Sequence, residues 1–190
     1  MSNKKTDKNA KDRSVKDSTM AALMRDKPRR GRPKHAVSRQ SVYVALCPQD
    51  KKQMSRLGKS LPGDMSRADV PDLAVTLLTI RLESVRRAVS GRNREIPEGI
   101  TDLESFRLLW DLPLSDEGCE PSWTSVRLSP QQGIELGRAH GTLNALFGST
   151  RSDVFALALS LLVQFIDTQP INPACETMEE MRNWLISNYL

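Results

Sequence analysis

Apolar and polar residues alternate over two short stretches of the chain. In Ser41–Pro48, Val42, Val44 and Leu46 fall on one face and Ser41, Tyr43 and Ala45 on the other. In Trp123–Pro130, Thr124, Val126 and Leu128 form one set and Trp123, Ser125 and Arg127 the other. A period of two predicts a strand with one buried face. A slip of one residue would exchange the faces, so the assignment rests on Leu46 and Leu128, which stand just before a helix and point inward. Each strand runs into a proline suited to the first position of a helix, Pro48 or Pro130. Ser129 is placed to cap its helix through the hydroxyl, whereas Cys47 is a poorer cap. The helices that follow carry Met54 and Leu57 in the first case, and Ile134, Leu136 and Leu143 in the second. Gly63 and Gly148 mark the turns after them.

Beyond those turns the chain repeats itself. SRADVPDLAVTLL (66–78) aligns with TRSDVFALALSLL (150–162), with Arg67/Arg151, Asp69/Asp153, Val70/Val154, Leu73/Leu157, Ala74/Ala158, Leu77/Leu161 and Leu78/Leu162 identical. Ser66-x-x-Asp69 and Thr150-x-x-Asp153 are close to a capping box, and the apolar positions behind them have helical spacing. Pro71 is out of place one turn into such a helix, so the first copy is expected to start nearer Asp69 or to be distorted. It can continue through Leu82, Val85 and Val89 to Gly91. Two units of strand, helix, turn and helix result, at 40–90 and 123–167. An acidic connection, 91–122, contains one apolar stretch, Phe106 to Leu114, expected to pack as a short helix. Residues 168–190 end in a helix opened by Thr177-x-x-Glu180 and bearing Met178, Met181, Trp184, Leu185 and Leu190; the pattern leaves open whether it closes the fold or recruits a partner.

The net charge of +5 is unevenly spread. Residues 1–40 hold 13 Lys and Arg against 4 Asp, and the remainder 15 against 19 acids. Residues 1–39 are too polar to offset the entropy of ordering and are expected to be a disordered basic arm that seeks nucleic acid or an anionic surface. Cys47, Cys119 and Cys175 lie far apart and lack CxxC spacing, which argues against a metal site or a disulfide framework and for reduced thiols. The N-terminus has no apolar signal core, and Val154 to Ile166 falls short of the ~20 residues of a membrane span. A cytoplasmic protein without membrane contact is expected.

Within the arm, Arg30, Gly31, Arg32 and Pro33 resemble the core of an AT-hook, which implies an extended segment in a narrow minor groove. The twice-used strand ending in Leu46-Cys47-Pro48 or Leu128-Ser129-Pro130, followed by Ser66-Arg67 or Thr150-Arg151, resembles the ribbon-helix-helix DNA-binding family of Arc, MetJ and CopG type, in the single-chain tandem form of TraY-like proteins. The resemblance implies a mainly α fold with one two-stranded antiparallel ribbon, a pseudo-dimer made by one chain. It further implies that Ser41, Tyr43, Ala45, Trp123, Ser125 and Arg127 read bases in the major groove, Arg127 above all, and that Ser66, Arg67, Thr150 and Arg151 hold phosphates at helix N-termini. The plain alternative for Tyr43 and Trp123 is packing on the body. The partners so implied are double-stranded DNA, further copies of the chain on that DNA and a protein at the last helix, with a location at the nucleoid and no cofactor.

Enzyme readings fare poorly. Leu57 to Ser60, LGKS, matches the end of a P-loop, but Gln53 stands where its first glycine is required. His140 has no Ser or Cys nucleophile at a recognisable spacing. The expected function is a transcriptional regulator or an accessory factor of plasmid partition or transfer. The second expectation is an antitoxin-like module whose last helix binds a partner.

Overall fold

The computed structural model describes residues 38–90, 99–115, 118–169, 171 and 174–189. Residues 1–37 of the basic arm, the RGRP segment among them, lie outside them. Two strands and six helices follow in the order β1 (Gln40–Leu46), α1 (Pro48–Ser60), α2 (Val70–Ser90), α3 (Leu103–Leu109), β2 (Ser122–Leu128), α4 (Pro130–Phe147), α5 (Arg151–Thr168) and α6 (Met178–Tyr189). The fold is mainly helical with one two-stranded antiparallel sheet.

The strands form because alternate residues have a core to enter. Val44, Leu46, Val126 and Leu128 are buried beneath the ribbon. Below them α2 and α5 pack on each other as the central pair. The ten apolar side chains identical in the repeat, Val70, Leu73, Ala74, Leu77 and Leu78 with their counterparts, are all buried in one shared core. At ~1.5–3 kcal/mol for each large aliphatic side chain, this shared core is the main force joining the two segments.

The second helices start differently. In α5, Asp153 Oδ2 accepts the Thr150 N–H at 2.8 Å, and Thr150 Oγ1 accepts the Asp153 N–H at 3.3 Å, a closed capping box. Ser66 donates its N–H to Asp69 Oδ2 in the same way, at 2.7 Å, but helix α2 begins only at Val70. A helix that started at Arg67 would need Pro71 to donate an N–H it lacks, whereas within the first turn proline is tolerated.

Several expectations are corrected. Ile134 is 58 % exposed, because the inward line of α4 is Gln132, Leu136, Ala139 and Leu143. Ser129 makes no side-chain cap bond to α4; its own N–H donates to Asp72 Oδ1 of α2 at 2.9 Å. The helix in the connection ends at Leu109, after which Asp111 takes a positive φ of 54° and the chain turns to bury Leu112. Cys47 and Cys119 are joined in a disulfide across a sequence separation of 72, contrary to the expected reduced thiols. No local motif announces this pair; the connection brings Cys119 back to the start of α1. Cys175 is a free, buried thiol.

The last helix closes the fold. Thr177 and Glu180 cap it, with the Thr177 N–H donating to Glu180 Oε2 at 2.9 Å, and this bond holds the carboxyl below its usual pKa. Met181 and Leu185 are buried, and Trp184 meets Phe165 of α5 edge to face at 5.0 Å. The turn after α1 makes room for the segment leading into α6. Gly63 has φ +62°, and a Cβ there would lie 2.3 Å from the Glu176 carbonyl oxygen.

Candidate nucleic-acid interface

Antiparallel pairing sets Ser41 opposite Arg127, Tyr43 opposite Ser125 and Ala45 opposite Trp123. Successive strand residues point to opposite faces, so these six side chains share the face away from the core. The structure thereby brings together all six residues expected to read bases. Packing on the body is ruled out for the two aromatics, since Tyr43 is 67 % and Trp123 74 % exposed. A large aromatic left in water forgoes roughly 1.5–3 kcal/mol of burial. Ala45 is half-covered, and its backbone N–H is taken by Ser152 Oγ at 2.9 Å.

That bond places the start of α5 beside the outer edge of β1. Thr150 and Arg151 are exposed there, while Asp153 occupies the Thr150 amide. The start of α2 lies beside β2, since Asp72 holds the Ser129 N–H. Each second helix therefore begins next to the strand of the other segment. Arg67 is exposed at this second place, but it precedes α2 and is not in its first turn. Its glycine neighbour is required: a Cβ at Gly58 would stand 2.5 Å from the Arg67 Cα.

Arg39, grouped with the arm by composition, is a structural residue. Its guanidinium donates to the Ala68 carbonyl and to Asp69 Oδ1, and lies 3.6 Å from Asp72. Burial pushes the Asp72 carboxyl above its ordinary pKa, a shift opposed by the Ser129 N–H and by Arg39. Sequence reasoning missed this cluster because its members are about thirty residues apart. It also missed Lys51, whose Nζ donates to the Ser122 carbonyl oxygen at 3.0 Å and ties α1 to the start of β2. The run of Lys51, Lys52, Arg56 and Lys59 was the available signal.

A cleft of about 830 Å³ opens between α1, α3 and α5. Its charged groups are engaged. Asp50 accepts the Cys47 N–H at 3.2 Å, Glu104 the Ser115 N–H at 3.0 Å, and Arg107 donates to the Pro113 carbonyl oxygen and Ser160 Oγ, both at 2.9 Å. Among the described residues its lining includes no histidine, and His140 is half-buried on α4. Among the described residues no group of three His, Cys, Asp or Glu side chains could hold a metal, and no single helix is long and apolar enough to cross a membrane.

Comparison of the chain with protein-family models, with curated proteins and with solved structures finds no match.

Proposed function

We propose that this chain is a sequence-specific double-stranded-DNA-binding protein, a tandem ribbon-helix-helix that inserts its single β-ribbon in the major groove. It acts at the nucleoid as a transcriptional regulator or as an accessory factor of plasmid partition or transfer, and it performs no catalysis. The observation that carries this reading is the ribbon face: six outward side chains, uncovered aromatics among them, on a two-stranded element of a width the major groove admits. The register supports the pseudo-dimer. Aligning Leu46 with Leu128 makes Tyr43 the equivalent of Ser125, and these two pair with each other, so a two-fold axis passes between equivalent positions. One chain then supplies both halves of the ribbon.

Arg127 is exposed at one end of this face, where its guanidinium can bind guanine O6 and N7 together. Its equivalent is Ala45, so the base-reading face is asymmetric. The antitoxin-like reading requires a last helix with an apolar face to offer, and Met181 and Leu185 of α6 are already buried. The Cys47–Cys119 disulfide includes no residue of the base-reading face.

Selection of bound sites from random duplex DNA by the full chain tests the proposal. An asymmetric element should emerge, with a guanine whose preference disappears in Arg127→Ala. Perfect short palindromes, or unchanged preferences in that variant, would overturn the ribbon reading. Failure to enrich any element would overturn sequence-specific binding itself.

A further inference from the structure

The exposed faces of the two first helices, α1 and α4, have diverged at all but one of their aligned positions, the shared arginine Arg56/Arg138. Aligning Pro48 with Pro130 sets Lys51, Lys52, Ser55, Arg56 and Lys59 against Gly133, Ile134, Gly137, Arg138 and Gly141. On α1 these residues line one open cleft together with Arg67. Among the described residues no carboxylate lies within salt-bridge reach of Lys51, Lys52, Lys59 or Arg67. Arg56 is paired with Asp167 at 3.0 Å, with both side chains half exposed, a kind of pair worth little and easily exchanged.

The position of this row matters as much as its charge. It begins at Lys51, bonded to Ser122 at the start of β2, and ends at Arg67, just before the turn of α2 whose Asp72 holds Ser129 beyond the end of β2. The two ends of the row therefore lie near the two ends of β2. The glycine-bearing face of α4 begins near the start of β1, with Gly133 near Gln40, and Arg138 on that face lies 3.4 Å from Glu135. Arg151 at the start of α5 is left to meet a polyanion on that side.

A ribbon in the major groove has one phosphate chain along each of its edges. Resting on the DNA-binding reading above, we propose that the two are gripped unequally: the strand bordering β2 lies on the cation row of α1 and Arg67, and the strand bordering β1 is held mainly at the start of α5. Charge complementarity and continuity with the ribbon favour DNA as the occupant of this face over an acidic protein.

The test uses the full chain and its Lys52→Gln/Lys59→Gln variant, both positions being exposed and glutamine a good helix former. Uncharged methylphosphonate linkages are placed in one strand of the selected element at a time. Wild-type binding should weaken several-fold more for one strand than for the other. In the variant this difference should shrink, and the slope of log K against log salt should fall by ~1.8, at ~0.9 for each lost phosphate contact. Equal sensitivity of the strands in the wild type, or a strand difference and slope retained by the variant, would overturn the inference. A retained slope with Arg127-dependent selection intact removes the row alone and leaves it to an acidic protein. A chain that selects no element removes the reading beneath it.

Discussion

Where strand meets first helix, the two segments solve one problem by different means. Cys47 is bonded covalently to Cys119 of the connection, whereas its counterpart Ser129 is held by a hydrogen bond to Asp72. The contrast continues outward: α1 shows lysines where α4 shows glycines, and α2 begins three residues later than its copy. Along the apolar stripe of the second helices there is no contrast, since both segments bury the same five positions. Core positions are constrained by each other, because the two segments share one interior and a change of volume on one side strains both. Surface and junction are free to take separate tasks.

The covalent junction should dominate stability. A disulfide closing a loop this long restricts the unfolded chain, and its removal typically costs ~2–5 kcal/mol. Cys47→Ser/Cys119→Ser should therefore unfold at clearly lower urea concentration than the oxidised wild type and match the reduced wild type. Equal midpoints would mean that the bond constrains nothing and that the two junctions are energetically alike.

On the proposed DNA-binding reading, the comparison is between Arg127 and Ala45. Arg127→Ala should cost ~1–3 kcal/mol at the preferred element and relax one base position, while Arg151→Ala should weaken all sequences about equally. Ala45→Arg sharpens the point, because it makes the two halves alike and should shift selected sites towards two-fold symmetry. Fluorescence titration against single-base variants of the element reads both effects.

The hydrogen-bonded junction is weaker. Asp72→Ala, which installs the residue of the second copy (Ala156), orphans the Ser129 N–H and should cost ~1 kcal/mol. Its pH dependence has a definite sign. Burial raises the folded-state pKa of Asp72, so its contribution is fully present below the ordinary carboxylate pKa and is lost as pH rises through the raised value. The deficit of the variant should be larger at acid pH than at neutral pH, as measured by urea unfolding across that range.

The smallest effect concerns the helix start. Pro71→Ala removes the obstacle to an earlier beginning, and α2 should gain up to one turn, visible as a slight rise in helical circular dichroism with a stability change of ~1 kcal/mol or less. No gain would show that Arg39, bound to Ala68 and Asp69, and not the proline, holds this segment out of the helix.

Period-two alternation gave the correct faces of both strands, because a strand sends successive side chains to opposite sides whatever it pairs with. The repeated helical spacing likewise identified all ten shared core residues, and Pro71 announced its own displacement of α2. These are local consequences of backbone geometry, and the sequence by itself determined them. Tertiary structure alone decided that Tyr43 faces Ser125, that Cys47 meets Cys119, that Ser129 serves Asp72 in place of its own helix, and that the apolar face of α6 is spent on α2 and α5. Each of these joins residues tens of positions apart, and such contacts are selected by how the helices pack around one core, which no local periodicity encodes.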